Sequence, residues 1–220
     1  MPLLGVRDAA ERLGVSTRQI QHLVTQGELT ALARGVLDSG SVDRFLAVHG
    51  TLRSRAWSAA TAWGAVALLS EVDASWMGGT QRSRLKARLR SLTAEELVER
   101  ARARALVARF VGHSSVLGRV AQTVVNTAVM RSDLGLAGSA VLDGYLTLDD
   151  RDTVTRRFSL VPDNEGTIVL RATTFPIQTV REIASAGIVL TALDLAESLE
   201  MRERRAGIDA LTLALDKFRG

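Results

Sequence analysis

The stretch VRDAAERLGVSTRQIQHLV, residues 6–24, decides the fold at the start of this chain. Gly14 can adopt a positive φ between two helices, and Ser16 or Thr17 can cap the second helix by accepting a backbone N–H. Apolar residues at helical spacing on both sides of this glycine share one face: Ala9, Ala10, Leu13, Val15, Ile20, Leu23 and Val24. The pattern predicts a helix-turn-helix in which the two helices cross at a small residue.

The second predicted helix directs a set of polar residues away from that apolar face: Ser16, Thr17, Arg18, Gln21 and His22. In a helix-turn-helix this face enters the major groove, where arginine and glutamine can bond to base edges. We therefore expect these five residues to contact double-stranded DNA. The alternative is a plain helical hairpin whose outer face is only solvated.

A short β-prone stretch at 29–37 follows the second helix and has Arg34 and Gly35 at its middle. A third helix is predicted from Gly40 onward. Two helices, a small hairpin and a closing helix over residues 1–50 resemble the excisionase and MerR-like winged helix-turn-helix family. The resemblance implies that the hairpin touches the DNA backbone or the minor groove, here through Arg34.

Charge limits what this first unit can do alone. Residues 1–50 contain five arginines and five acidic residues, so the unit has no net charge. Neutralisation of phosphates supplies most of the nonspecific affinity for DNA. We therefore expect the unit to bind weakly unless the chain dimerises or offers a second basic surface.

The whole chain has the composition of an ordinary globular protein, with 220 residues, 46% hydrophobic residues and a net charge of +4. It has no cysteine, which excludes disulfides, and its three histidines lie too far apart in sequence to predict a metal site. Neither a signal peptide nor a segment long enough to span a membrane is recognised, so a cytoplasmic location is expected. No phosphate-binding glycine loop and no nucleophile with its base is recognised, so neither a cofactor nor enzymatic activity is expected.

The stretch 50–55, rich in small polar and basic residues, predicts a boundary between a domain over 1–50 and a second domain over 51–220. The second domain is predicted to begin with an alanine-rich helix at 57–69 and to end with amphipathic helices at 187–199 and 201–218. Between them β structure is predicted at 122–130, 139–148, 156–161 and 167–172, with a hairpin over 156–172. The predicted class is α+β: a winged helix-turn-helix, then a larger domain of helices flanking a small, mainly antiparallel sheet.

Residues 51–110 are the basic part of the chain, with eleven basic and five acidic residues. Basic residues alternate along one segment of it: Arg82, Arg84, Lys86, Arg88 and Arg90. The leucine and alanine residues between them favour a helix over a strand. This basic strip could contact phosphates or an acidic partner, and a merely solvated arginine-rich face is an equal alternative. Because the strip lacks aromatic residues, a duplex or a protein is favoured over single-stranded nucleic acid.

The order of a winged unit and a mixed domain, together with the ending LDLAESLEMRER at 193–204, resembles the AbiEi antitoxin-regulators of type IV toxin-antitoxin systems. The resemblance implies a non-enzymatic protein that represses its own operon and counteracts a cognate nucleotidyltransferase toxin. Toxin contact is then expected at the C-terminal helices and the basic strip. The alternative is a transcription regulator whose second domain forms a homodimer or binds a small effector in an apolar pocket. An enzyme that uses the helix-turn-helix only for its location is a third possibility.

Overall fold

A computed structural model of the chain describes residues 3–25, 28–49, 55–136, 142–198 and 200–220, without the side chains of 47–49. These residues form a mixed structure of helices and two sheets, which confirms the α+β class. The predicted boundary at 50–55 lies, apart from Arg55, outside the described residues.

The first part of the chain builds a small sheet covered by helices. Its elements are β1 (Leu3–Gly5), α1 (Val6–Leu13), α2 (Thr17–Thr25), β2 (Ala31–Ala33), β3 (Val36–Asp38) and α3 (Ser39–His49). The sheet has the order β1-β3-β2, and both pairs of strands are antiparallel. The helices at 6–24 and the hairpin at 29–37 are therefore confirmed as elements, whereas the three-residue strand β1 was not predicted.

The turn between α1 and α2 follows the sequence expectation closely. Gly14 ends α1 with a φ of 68°, a left-handed conformation that favours glycine. The backbone N–H of Val15 donates to the carbonyl of Ala10 at 2.9 Å, which caps the C-terminus of α1. A separate apolar core beneath these helices contains Ala9, Ala10, Leu13, Ile20, Leu23, Leu29, Leu37, Val42 and Phe45.

Asp38 joins the hairpin to α3. One of its carboxylate oxygens accepts from the backbone N–H of Gly40 at 3.2 Å and the other from that of Ser41 at 3.1 Å. The Ser41 hydroxyl in turn donates to the Asp38 carbonyl and accepts from the backbone N–H of Thr30. The buried aspartate thus satisfies the free N–H groups at the start of α3 and fixes the strand that precedes it.

The rest of the chain alternates helices with strands of a second sheet. Its elements are α4 (Ala59–Leu69), α5 (Gly79–Leu89), α6 (Ala94–Ala101), β4 (Leu106–Val111), α7 (Leu117–Thr123), β5 (Val125–Asn126), β6 (Leu142–Thr147), α8 (Arg151–Arg157), β7 (Val161–Pro162), β8 (Ile168–Thr173), α9 (Ile177–Ser185), α10 (Val189–Ala196) and α11 (Met201–Arg219). Short 3-10 helices lie at Arg102–Arg104, Ser114–Val116 and Ala128–Leu134.

The second sheet has the order β5-β6-β8-β4-β7 and places different chemistry on its two faces. Only the β6–β8 pair is parallel, so the predicted mainly antiparallel sheet is confirmed. Because side chains alternate along a strand, one face presents Phe110, Leu142, Leu146, Ile168 and Leu170 to an apolar core beneath α7 and α8. The opposite face presents Asp143, Tyr145, Arg171 and Thr173 towards α4 and α10.

Two of the predicted β segments are wrong. Residues 156 and 157 end α8, in which Val154 is buried, and the C-cap Phe158 is buried one helical turn later. Ser159 then leaves the helix with a φ of 51°, and only Val161 of the predicted segment lies in a strand, β7. The hairpin over 156–172 is consequently wrong, because β7 pairs with β4 rather than with β8. The stretch 122–130 contains only the two-residue strand β5 between α7 and a 3-10 helix. The segments at 139–148 and 167–172 are confirmed as β6 and β8, although residues 139–141 are not described.

The helices at 57–69, 187–199 and 201–218 are confirmed, with small shifts in their ends, as α4, α10 and α11. Leu199 lies outside the described residues. Strand β4 and helix α9 were not predicted. Throughout the described ranges, the helices are all too short or too polar to cross a bilayer.

Gly207 allows the backbones of α10 and α11 to approach closely. A Cβ atom at this position would lie 2.4 Å from the Ala196 nitrogen and 2.5 Å from the Ala192 oxygen. Both are backbone atoms of the neighbouring helix, so they can yield only if the two helices separate.

We predict that Gly207→Ala lowers the free energy of unfolding by about 1–3 kcal/mol, because the new methyl group overlaps the backbone of α10. Gly118→Ala is the matched control, since Gly118 also lies in a helix and a Cβ atom there would meet no neighbouring atom within 4 Å. That control is expected to raise the free energy of unfolding by about 0.5 kcal/mol. Urea denaturation of the full chain measures both changes, and equal stabilities of the two variants would contradict the close approach.

Candidate functional site

The outer face of α2 is exposed at each of the five positions predicted to contact DNA: Ser16, Thr17, Arg18, Gln21 and His22. The opposite side of the helix is anchored by Ile20, which is 0% exposed, and by Leu23, which is 6% exposed. The Ser16 hydroxyl accepts from the backbone N–H of Gln19 at 3.2 Å and so caps the helix, as expected. The five side chains predicted to contact DNA therefore lie on the solvent side of a helix held from behind.

Arg34 lies at the tip of the hairpin formed by β2 and β3, and its side chain is exposed. Gly35 beside it has a φ of 82°, which a tight hairpin turn requires and glycine adopts without strain. The carbonyl of Gly35 accepts from the backbone N–H of Val6 at 3.2 Å, so the turn is tied to the start of α1. Contact between Arg34 and DNA stays a prediction.

The basic strip forms a helix, as its composition indicated, and the helix divides it between two sides. Alternate residues along a helix are separated by about 200°. The buried side of α5 carries Leu85 and Leu89. Arg84 and Arg88 consequently lie to one side of these leucines. Arg82 and Lys86 lie to the other side. The strip cannot therefore act as one continuous row of charges.

Two members of the strip also have partners within the protein. Arg82 forms an ion pair with Asp73 at 3.0 Å. The Arg90 guanidinium lies 5.9 Å from the centre of the Phe218 ring, at cation–π distance. Arg84, Lys86 and Arg88 are exposed and remain the members most available to a phosphate or to an acidic partner.

A second group of charged residues, not singled out from the sequence, is buried between the second sheet and the C-terminal helices. We call it the buried charge cluster: Arg104, Arg131, Asp143, Arg171, Asp194, Glu197 and Glu203. It draws on the 3-10 helices at 102–104 and 128–134, on β6 and β8, and on α10, α11 and the residues between them. Each of its arginines contacts at least one of its carboxylates.

Glu197 is the centre of this cluster. Its two carboxylate oxygens accept from Arg104 at 2.6 and 2.8 Å, and one of them also accepts from Arg171 at 2.6 Å. Arg171 donates through two of its nitrogens to Asp143, at 2.7 and 3.1 Å. Two adjacent strands, a 3-10 helix and the end of α10 are thus joined through charge-assisted hydrogen bonds.

Asp194 completes the cluster from the middle of α10. It accepts from Arg104 at 2.8 Å, from the Thr127 hydroxyl at 2.8 Å and from the Tyr145 hydroxyl. Tyr145 is fully buried and packs edge-on against Trp63, with ring centroids 5.3 Å apart. Tyr145 therefore connects the cluster to the aromatic packing around Trp63.

Burial and charge act against each other on the acids of this cluster. Burial alone would raise the pKa of Glu197, but Arg104 and Arg171 outweigh burial and hold that pKa below its usual value. For Asp194 burial dominates, and its pKa is raised above the usual value despite both arginines. Burial likewise raises the pKa of Tyr145, which keeps the phenol protonated as the donor to Asp194.

These contacts favour a structural role over a chemical one. The acids and arginines form ion pairs with one another, and the cavity beside them has a volume of only about 150 Å³. The sequence carried one signal of the cluster, since Arg171 and Asp194 interrupt segments that are otherwise apolar. Part of the C-terminal helices, where toxin contact was expected, lies in this cluster, and burial keeps Asp194 and Glu197 from meeting a partner directly.

We predict that Glu197→Gln lowers the free energy of unfolding at pH 7 by about 3–5 kcal/mol, because two buried guanidinium groups lose their shared negative charge. A lowered pKa in the folded state also means that this stabilisation is present above the usual glutamate pKa and is lost as the pH falls through the lowered value. The variant should therefore show a flatter loss of stability between about pH 5 and pH 2 than the wild type.

Urea denaturation over this pH range measures both effects. Glu182→Gln, at an exposed position of α9, is the control and should change the stability by less than about 0.5 kcal/mol. If Glu197→Gln unfolds with the wild-type midpoint at every pH, the cluster contributes nothing.

Comparison with known proteins finds no match for this chain. No protein-family model matches it, and neither a curated protein nor a solved structure does. Support for a function therefore comes from the chemistry and the geometry of the chain's own residues.

Proposed function

We propose that this chain is a DNA-binding transcription regulator that reads its own promoter through the outer face of α2. One observation carries the proposal: the polar residues at 16–22 are exposed together on a helix whose other side is fixed in an apolar core. Arginine, glutamine and histidine on such a face supply the donors and acceptors that base edges in a major groove require.

The chemistry of the face suits base recognition. Arg18 can donate two hydrogen bonds to a guanine, and Gln21 can form a donor–acceptor pair with an adenine. Ser16 and Thr17 lie at the N-terminus of α2, where hydroxyl groups and free backbone N–H groups can bind a phosphate. The proposal assigns base recognition to the first pair and positioning on the backbone to the second.

The hairpin of β2 and β3 supports the proposal as a wing. Its tip carries Arg34, and the hydrogen bond from Val6 to Gly35 holds the turn against the start of α1. One arginine gives such a wing at most one phosphate contact, which agrees with the absence of net charge over residues 1–50. We therefore include in the proposal a pair of chains on two half-sites about 34 Å apart.

We predict that Arg18→Ala and Gln21→Ala each weaken binding to the gene's own promoter by about 1–3 kcal/mol, because each removes a base contact. A gel shift at fixed salt, with the promoter and a scrambled duplex of equal length, measures the change. The loss should appear on the promoter and be small on the scrambled duplex.

Gln178→Ala and Arg181→Ala are the matched controls. Both residues are exposed on α9 and three positions apart, like Arg18 and Gln21 on α2. The controls should bind like the wild type. Unchanged promoter affinity in the two α2 variants would remove this face from the interface and refute the proposal.

By its resemblance to the AbiEi regulators, we also propose that the second domain counteracts a toxin encoded beside it. Burial of Asp194 and Glu197 leaves the exposed parts of α11 and of α5 as the surfaces open to such a partner.

We expect co-expression of the full chain to rescue growth of cells that produce the neighbouring gene product, and the Arg18→Ala variant to rescue equally. Growth is measured with and without induction of the chain. Rescue that is lost with Arg18→Ala would assign the effect to promoter binding, and no rescue at all would refute the antitoxin role.

A further inference from the structure

A cleft of about 730 Å³ opens between the end of α4, the turn that joins α9 to α10, and one side of α11. Its volume lies within the range of small-molecule sites. Aliphatic side chains line most of its wall: Leu69, Leu134, Ile188, Val189, Leu213 and Ala214. We call it the α11 cleft.

Helix α11 provides the longest wall of the cleft. Its lining residues recur at the spacing of one helical face, and Ala206, Ala210 and Ala214 among them leave the wall open rather than filled. Leu213 projects beside them and is 71% exposed. A large exposed apolar side chain at the mouth of an apolar cleft provides contact area for a ligand without being required by the core.

The charges around the cleft are mostly negative. Glu71, Asp133 and Asp209 contribute three carboxylates, and Lys217 contributes the one ammonium group among the lining residues. Lys217 already contacts Glu71 at 2.6 Å. Asp209 has a distant partner in Arg205, at 3.9 Å, and both of these side chains are exposed. An entering cation would therefore be attracted and an anion repelled.

Glu71 has a backbone conformation that its side chain disfavours. Its φ is 60°, in the left-handed region, at the position after α4 where glycine is usual. The backbone N–H of Val72 donates to the Ala67 carbonyl and that of Glu71 to the Leu68 carbonyl, so the turn is well defined. The turn places this strained glutamate at the mouth of the cleft, where its carboxylate contacts Lys217.

Ser70, the preceding residue, also lines the cleft. Its hydroxyl oxygen is buried and has no hydrogen-bond partner among the described residues. Buried hydroxyl groups are nearly always bonded, so this wall has a polar group still to be satisfied.

From the aliphatic wall and the acidic mouth, we propose that the α11 cleft binds a small organic cation with an aliphatic body. The body would lie against Leu213 and the alanines of α11, and the cationic group would lie beside Asp209 and compete with Lys217 for the Glu71 carboxylate. This site is separate from the outer face of α2, and the proposal stands whether or not the chain binds DNA.

Three probes with the same alkyl chain test the proposal on the full-length protein: octyltrimethylammonium, octanesulfonate and octanol, each below its micellar concentration. Isothermal titration calorimetry at low salt measures the dissociation constants. We expect the cation to bind roughly tenfold more tightly than octanol and the sulfonate to bind more weakly than octanol. Equal binding of the three probes, or no saturable binding of the cation, would overturn the proposal.

Variants locate the site. Leu213→Ser should weaken cation binding by about tenfold, because it removes an apolar contact from a position that the core does not need. Leu106→Ser is the matched control, since Leu106 is a similarly exposed leucine on β4, outside the cleft. An equal loss in both variants would mean that the probe binds nonspecifically, and the proposal would be wrong.

Glu71→Gly gives the sharpest result, because stability and binding should change in opposite directions. Glycine relieves the left-handed backbone, so the melting temperature should rise by about 2–4 °C. Loss of the carboxylate should at the same time weaken binding of the cation several-fold and leave binding of octanol unchanged. A variant that is stabilised but binds the cation like the wild type would show that Glu71 serves no ligand and would overturn the assignment of the acidic mouth.

Discussion

The second part of the molecule depends on the pairing of charges that have no access to water. An arginine or carboxylate in such a place is costly unless a partner of opposite charge compensates it. Arg104 is compensated by Glu197 and Asp194, and Arg171 by Glu197 and by Asp143 on the adjacent strand. This requirement fixes the position of α10 on the sheet, and Gly207 then allows α11 to pack against it.

The two faces of the second sheet have divided roles as a result. The apolar face is satisfied by α7 and α8 through ordinary hydrophobic burial, which is tolerant of small shifts. The polar face requires each donor to meet its acceptor, so it specifies the arrangement more narrowly. With its groups already paired to one another, the polar face is occupied with holding the fold, and the surfaces open to ligands and partners lie elsewhere.

The N-terminal unit has its own apolar core, and its outer face is not needed for packing. The exposed residues of α2 are therefore not constrained by the core of the unit, and their side chains can donate and accept hydrogen bonds as base edges require. The α11 cleft likewise contains residues that the fold does not require. Leu213 is exposed where a polar residue would suffice, and Glu71 has a left-handed backbone where glycine would be unstrained.

The sequence by itself determined the elements whose signals are local. The turn at Gly14, the cap at Ser16, the hairpin at Arg34 and Gly35, and the helices with a periodic apolar face are dictated by residues close together in the chain. Only the tertiary structure decided that 156 and 157 end a helix rather than begin a strand, because the burial of Val154 and Phe158 outweighs β propensity. It also decided the buried charge cluster, because Arg104 and Glu197 are 93 residues apart in the chain and meet only when the sheet and α10 are assembled.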